Sequence, residues 1–184
     1  MSSESNGLLP PKWNEQLLKS SRLYLHKLHA LSDREATIVG VGHIERILSD
    51  ALKRRLCKSA SIDQWLKDES HEITFMLKTK MSHSVGIINE NTLKSLKLYD
   101  RIRNVFAHVT ECTSFNSEPI SKYIKQFIEH NKDYFNKIEL LTRVDGPVEE
   151  LKIKISFMMA LDIAVLENIE PIIKPIVPII QDWL

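Results

Sequence analysis

Residues 31–58 read LSDREATIVGVGHIERILSDALKRRLCK, and this stretch decides the fold of the chain. Ser32 and Glu35 stand in the S-x-x-E arrangement of a capping box, in which each side chain accepts a hydrogen bond from a backbone N–H that the first turn of a helix leaves unpaired. The pair therefore predicts that a long helix begins at residue 33.

Within that helix, apolar residues recur at intervals of three and four, the spacing of one helix face. They are Ile38, Val41, Leu48 and Leu52. Glu45 falls on the same face between Val41 and Leu48, and Arg34 lies on it one turn before Ile38. Gly40 and Gly42 lower the intrinsic helix propensity, but their small size lets a second helix approach closely.

The rest of the chain has the same helical character. Glycine occurs only five times in 184 residues, and no stretch alternates apolar and polar residues as a half-buried strand does. The sequence therefore predicts an all-α protein, a single-domain bundle of about six or seven helices. Besides the helix from 33, helices are expected over about 13–31, 61–70, 71–88 with its end near Gly86, 91–108 and 117–141, and from 148 onward.

The chain divides into three parts on composition. Residues 1–12, rich in serine and proline, are expected to form a flexible N-terminal arm. Residues 13–168 are the predicted helical domain. Residues 169–184 form an apolar tail with Pro171, Pro175 and Pro178, which should interrupt regular helix. This tail either packs on the bundle or contributes to a dimer or partner contact, and the sequence leaves both alternatives open.

Charge and cysteine usage exclude several classes of protein. Lysine and arginine total 25 and aspartate and glutamate total 24, so no overall charge favours nucleic acid or a membrane surface. Cys57 and Cys112 form neither a disulfide framework nor a zinc pattern and suit a reducing compartment. The most apolar window, 155–169, is shorter than the 20 or so residues that span a bilayer, and the N-terminus lacks the pattern of a signal peptide. A soluble, cytoplasmic protein is expected.

A second stretch, LYDRIRNVFAHVTECTSF at residues 98–115, places three polar side chains in an otherwise apolar helix. Helical spacing puts Arg103 on the same face as Tyr99 and Phe106, so its guanidinium is predicted to point toward the core. A buried arginine needs a carboxylate nearby. Glu45 is the predicted partner, whereas Asp100, on the same helix, is predicted to face elsewhere.

Two further residues of this stretch, Asn104 and His108, are four apart and are predicted to share a helix face. Arg103 and His108 are about 140° apart around an ideal helix, which does not suit a catalytic pair within one chain but does suit a site shared across a dimer. A histidine with an arginine could exchange a proton with a ribose hydroxyl and stabilise charge on phosphate, with no metal. The alternative is structural, with Asn104 and His108 capping carbonyls while Arg103 neutralises Glu45.

Three blocks of the sequence together resemble the mannitol operon repressor (MltR) family. They are Asp33 and Arg34 leading into the helix with Glu45, the turn at 85–88, and the segment 102–108 with Ser114 and Phe115. The resemblance covers about residues 31–130, and Val85 stands where the family has leucine. It implies transcriptional regulation without a standard DNA-reading motif, and no helix-turn-helix with a basic recognition helix is found. A protein partner in regulation is therefore expected rather than direct DNA binding.

The string R-N-x-x-x-H is also similar to the motif of HEPN domains, which are small helical domains that often dimerise. Many of them are metal-independent ribonucleases that act as toxins or defence effectors. Carried over, the resemblance makes Arg103 and His108 catalytic, with Asn104 as their polar companion, and makes RNA the substrate. It also implies a HEPN-like fold and a homodimer.

Other candidate sites are weaker. Lys53, Arg54, Arg55 and Lys58 form a small basic patch that could contact nucleic acid, although such a cluster is more often a solvated helix face. No cofactor or nucleotide motif occurs, and no histidine has a second ligand at metal spacing, so neither a cofactor nor a metal is expected.

Overall fold

The computed structural model describes residues 11–56, 59–67, 73–133, 135, 147–169 and 173–174. This described part of the chain is all-helical, with seven α-helices and no strand, which confirms the predicted fold class. The helices are α1 (Pro11–His29), α2 (Asp33–Arg55), α3 (Ala60–Trp65), α4 (Phe75–Ser84), α5 (Glu90–His108), α6 (Ser121–His130) and α7 (Pro147–Ile169).

Local capping chemistry sets where the central helices begin. Both halves of the predicted capping box are present at Ser32 and Glu35, and α2 begins at Asp33 as predicted. Asn89 caps α5, its side-chain oxygen accepting a hydrogen bond from the Thr92 backbone at 2.9 Å. Such caps satisfy N–H groups that no helical carbonyl can reach, which is why they mark helix starts well.

Several other boundaries differ from the prediction. Helix α1 begins at Pro11, inside the segment assigned to the arm, and residues 1–10 lie outside the described part. Helix α4 begins at Phe75 rather than 71, and Thr74 caps it. Its end at Ser84 agrees with the predicted end near Gly86, where the chain turns with φ of +75°. Helix α6 begins at Ser121 and ends at His130, residues 132, 133 and 135 are helical again, and the predicted continuation over 136–141 lies outside the described part.

The core lies where α2 and α5 meet their neighbours. Helix α2 packs against α4, α5 and α7, α5 packs also against α4 and α6, and α1 lies mainly on α7. The largest fully buried side chains include Tyr99 and Phe106 of α5 with Phe75, Phe115 and Phe127 around them. The predicted stripe on α2 is confirmed at Val41, Leu48 and Leu52, but Ile38 is wrong, since it is 42% exposed.

Of the C-terminal tail, Ile169 ends α7, and beyond it the structure describes Ile173 and Lys174. Ile173 packs against the core, and the Lys174 carbonyl accepts a hydrogen bond from Arg55 Nη1 at 2.9 Å. These two contacts agree with packing on the bundle at this point. The rest of the predicted tail lies outside the described residues, so the alternative of a partner contact stays a prediction.

The two glycines of α2 differ in their surroundings. A Cβ atom added to Gly40 would come within 1.9 Å of Met159 Sδ on α7, whereas one added to Gly42 would meet nothing within 4 Å. The predicted close approach of a second helix is therefore present at Gly40 and absent at Gly42. Gly40 sets how closely α2 and α7 pack.

This difference predicts that Gly40→Ala will be less stable than Gly42→Ala by about 1–3 kcal/mol, the usual cost of overpacking a core. Both substitutions gain helix propensity of roughly 1 kcal/mol. The gain cancels in the comparison, so the difference reports the contact with Met159. Urea unfolding of the two variants measures it, and equal midpoints with equal slopes would contradict the close packing.

Candidate functional site

The candidate site is the group of polar side chains around Arg103, in the second half of α5. Helix α5 buries a stripe that includes Leu96, Tyr99, Ile102 and Phe106. The Arg103 side chain is 25% exposed, so it lies at the edge of this stripe and not fully within the core. Its guanidinium carbon is 5.3 Å from the centroid of the Phe75 ring on α4, a distance at which the ring face attracts a cation.

Two carboxylates hold the Arg103 guanidinium. Glu45 Oε2 of α2 is 3.6 Å from Nη1, so the predicted ion pair between the two helices is present. Asp100 Oδ1 is closer, at 2.7 Å from Nη2. The prediction that Asp100 faces elsewhere is wrong, because residues three apart are neighbours on a helix surface.

Asn104 belongs to the same cluster. Its side-chain oxygen accepts from Arg103 Nη2 at 3.2 Å, and its amide nitrogen donates to Asp100 Oδ2 at 3.3 Å. Asn104 and Arg103 thus bracket the Asp100 carboxylate from two sides. The predicted role of Asn104 as a cap for helix-end carbonyls is not seen among these hydrogen bonds.

His108 is the last residue of α5 and is exposed. Among the described residues it takes no part in the hydrogen bonds and ion pairs of the Arg103 cluster. The structure of one chain therefore does not bring His108 and Arg103 into a hydrogen-bonded pair, in agreement with their separation around the helix. Whether two chains together do so remains a prediction.

Sequence reasoning missed the most buried member of the cluster, Lys78 on α4. Its side chain is only 4% exposed, and its Nζ donates to Glu45 Oε1 at 2.9 Å. Glu45 therefore lies between two cations, Lys78 and Arg103. A signal was present: Phe75, Lys78, Thr79 and Ser82 are spaced as one helix face, and all four are buried.

A hydrogen bond joins the first residue of α2 to the segment that follows α5. Asp33 Oδ2 accepts a hydrogen bond from the Phe115 backbone nitrogen at 2.9 Å, across 82 residues of sequence. Two of the three blocks that carry the family resemblance thus meet here. Arg34 is half-buried on the first turn of α2 and takes no part in these hydrogen bonds among the described residues.

The basic patch at the end of α2 is only partly available to a ligand. Arg55 donates to the carbonyls of Val85, at 3.1 Å, and Lys174. Lys53 lies 3.8 Å from Asp50, and Arg54 is exposed. Lys58 lies outside the described residues. Because Arg55 is used to join α2 to two other segments, the patch gives weaker support for nucleic-acid binding than its sequence did.

A second polar link connects α5 to α7. The Tyr99 hydroxyl, fully buried, donates to Asp162 Oδ2 at 3.0 Å. Burial of the carboxylate raises the pKa of Asp162 to about 7, against a smaller lowering by the hydrogen bond from Tyr99. Burial and the neighbouring Asp162 likewise raise the pKa of Tyr99 well above its ordinary value. Asp162 lies within the apolar window 155–169 of the sequence, and nothing in that window indicated Tyr99 as its partner.

The described residues contain no group of three or more histidine, cysteine, aspartate or glutamate side chains arranged to hold a metal ion. None of the described helices combines the length and apolar character needed to cross a membrane.

Comparison of the chain with protein-family models, curated proteins and solved structures found no match.

Proposed function

We propose that the chain is a regulatory protein of the mannitol operon repressor type, acting in the cytoplasm through protein partners and not by direct sequence-specific DNA reading. One observation carries the choice over catalysis: the charge of Arg103 is balanced inside its own cluster. Two cations, Arg103 and Lys78, face two carboxylates, Glu45 and Asp100. A guanidinium held in this way joins α2, α4 and α5 and leaves little charge for a phosphate.

The overall charge supports the same proposal. A protein that binds a nucleic-acid backbone gains most of its nonspecific affinity from unpaired lysine and arginine. This chain has a formal charge of +1, and its basic patch uses Arg55 for internal hydrogen bonds. Contact with another protein has no such requirement, so a partner protein is the better target.

The second candidate function is a metal-independent endoribonuclease acting on RNA as a homodimer. It is favoured by the exposure of Asn104 and His108 on the C-terminal half of α5, beside a guanidinium that is itself 25% exposed. This alternative requires a dimer in which His108 of one protomer approaches Arg103 of the partner subunit. His108 would then exchange a proton with a ribose hydroxyl of the RNA. Arg103 would have to break at least one of its ion pairs, with Glu45 or Asp100, in order to bind the phosphate.

RNA cleavage in the presence of EDTA distinguishes the two candidates. We expect no cleavage by the parent chain above the level of a mock purification, because Arg103 is neutralised and His108 lies outside its cluster. The assay uses a mixed-sequence, end-labelled RNA, with the parent, His108→Ala and His26→Ala purified in parallel. His26 is an exposed helical histidine of α1 and is the matched control.

Cleavage by the parent and by His26→Ala that disappears in His108→Ala would overturn the proposal and establish the nuclease. In cells, the same variants separate control of transcription from control of RNA stability.

Under the proposal, deleting the gene changes the promoter activity of the regulated operon, measured with a reporter fusion, and leaves the half-life of its messenger RNA unchanged. The His108→Ala variant should then regulate the promoter as the parent does. A changed half-life that depends on His108 would point to the nuclease instead.

A further inference from the structure

A second cluster of polar side chains, separate from the Arg103 cluster, joins α1, α2 and α7. The Tyr24 hydroxyl donates to Glu167 Oε1, and His43 Nε2 lies 3.1 Å from that hydroxyl and 3.0 Å from the same carboxylate oxygen. Burial, and then the nearby Glu167, raise the pKa of Tyr24 to about 12, so the phenol stays protonated and remains the donor. The carboxylate of Glu167 is thus held from two sides.

A cavity of about 440 Å³ opens beside this cluster, between α1 and α2. Tyr24 and His43 form part of its wall, and the rest is mainly apolar, from Leu28 of α1, Leu31 in the turn before α2, Val39 of α2 and Ile163 of α7. The volume lies within the range of about 300–1,000 Å³ that is usual for small-molecule sites. An apolar wall with a few polar groups at one side is also usual for such sites.

The charged side chains that line the cavity are both cations. Lys27 Nζ lies 5.7 Å from the Tyr24 ring centroid, and among the described residues it has no carboxylate within ion-pair distance. Arg46 has one ion pair among the described residues, with Asp50 one turn along the same helix at 3.5 Å, and both side chains are more than 40% exposed. Exposed pairs of this kind contribute little to stability and exchange partners readily. The Glu167 carboxylate is already held by Tyr24 and His43, so it does not compete for Lys27 and Arg46. The two cations therefore suit the cavity to an anion.

Gly42 shows that the cavity has room. It lines the cavity and is exposed, and a Cβ added there meets nothing within 4 Å. A larger side chain at this position would therefore extend into the open space without displacing the core. This contrasts with Gly40, two residues earlier, where Met159 fills the corresponding space.

We propose that this cavity binds a small amphipathic monocarboxylate, with its carboxylate at Lys27 and Arg46 and its hydrocarbon part against Leu28, Leu31, Val39 and Ile163. The class follows from the two features of the wall: an apolar surface that takes a chain or ring, and a cationic side that takes one negative charge. The inference does not depend on the proposed function, since it rests on different helices and side chains.

Isothermal titration calorimetry of the full chain tests the proposal, with octanoate as the probe and octanol and octylamine as its uncharged and cationic counterparts. We expect octanoate to bind at least about tenfold more tightly than either counterpart. Gly42→Leu should weaken octanoate binding by about tenfold or more, because the new side chain occupies the cavity. Lys27→Gln should reduce the preference of octanoate over octanol, whereas Lys19→Gln, an exposed lysine of α1 that does not line the cavity, should leave it unchanged.

Several outcomes would overturn the proposal. They are no octanoate binding at millimolar concentration, equal binding of octanoate and octylamine, or parent-like binding by folded Gly42→Leu and Lys27→Gln. Far-ultraviolet circular dichroism and thermal melting establish that each variant is folded. If Gly42→Leu fails that check, Lys27→Gln with its Lys19→Gln control decides the result alone.

Discussion

Replacing Glu45 with alanine is expected to lower the free energy of unfolding by about 3 kcal/mol, the usual cost of breaking a buried ion pair by removing one partner. Lys78 is the reason. Its side chain is 4% exposed and its ammonium donates to Glu45 Oε1 at 2.9 Å. Without Glu45 a nearly buried positive charge has lost this partner, while Arg103, 3.6 Å from the other oxygen, keeps Asp100.

A second substitution shows whether the buried charge is responsible. Lys78→Met removes the ammonium and keeps most of the side-chain volume, so the double variant Glu45→Ala, Lys78→Met should be more stable than Glu45→Ala alone. Glu90→Ala is the matched control, since the ion pairs of Glu90 in the described part of the chain, with His83 and Lys94, are exposed. This substitution should cost less than about 1 kcal/mol. Urea unfolding at pH 7 measures the parent, Glu45→Ala, Lys78→Met, the double variant and Glu90→Ala. Strictly additive effects in the Glu45 and Lys78 cycle would contradict the coupling.

The same cycle can be run with Arg103, whose pairing with Glu45 the sequence predicted. Arg103→Ala should cost less than Glu45→Ala, because the guanidinium is 25% exposed and water can replace part of its contacts. The two substitutions should still be non-additive. A free energy of coupling near zero would mean that the 3.6 Å pair contributes nothing to stability.

The parts of the fold that the sequence predicted well are those set by neighbouring residues. Ser32 and Glu35 fixed the start of α2, because a capping box acts within one turn of helix. Boundaries without such a signal were less accurate. The helix expected from residue 71 begins at Phe75, and nothing in the apolar pattern of the sequence marked that start.

Burial on α2 was harder to predict because this helix has several neighbours. A single stripe assumes that one side faces the core, but α2 is covered by α4, α5 and α7. Ile44 and Ile47 are therefore buried although they lie off the predicted stripe, and Ile38, on the stripe, is exposed near the start of the helix. The buried face is wider than the stripe and begins at different residues on its two sides.

The candidate site shows the same limit in its side chains. The pairing of Glu45 with Arg103 could be predicted, since both fall on core-facing positions of long helices. Lys78 could not be assigned with the same reasoning, because lysine is rarely buried and its place depends on a carboxylate 33 residues away in sequence. Tyr24, His43 and Glu167 come together only through the packing of three helices, with 124 residues between the histidine and the glutamate.

The other large effect that we expect is a loss of stability as the pH rises, caused by Asp162. This residue is half-buried on α7, accepts a hydrogen bond from Tyr99, and has its pKa raised by burial from 3.8 to about 7. A carboxyl group with a raised pKa binds its proton more tightly in the folded chain than in the unfolded chain. Its contribution therefore favours folding most below about pH 4, declines as the pH rises toward 7, and is constant above that.

The expected size of the change follows from the shift of about three pKa units, each equivalent to 1.36 kcal/mol at most. We expect Asp162→Asn, which keeps an oxygen to accept from Tyr99 but cannot ionise, to gain about 2–4 kcal/mol relative to the parent between pH 4 and pH 8. The test is how the stability difference between the variant and the parent changes from pH 4 to pH 8. An unpaired amide N–H of the asparagine would lower the stability of the variant by the same amount at every pH, so it does not affect that change. Urea unfolding across that range measures the difference, with Asp63→Asn, an exposed residue of α3, as the control. The opposite result is a difference in the free energy of unfolding between the parent and Asp162→Asn that does not vary with pH. It would mean that the Asp162 carboxyl has the same pKa in the folded and unfolded chains, so that water reaches the carboxyl beside Tyr99.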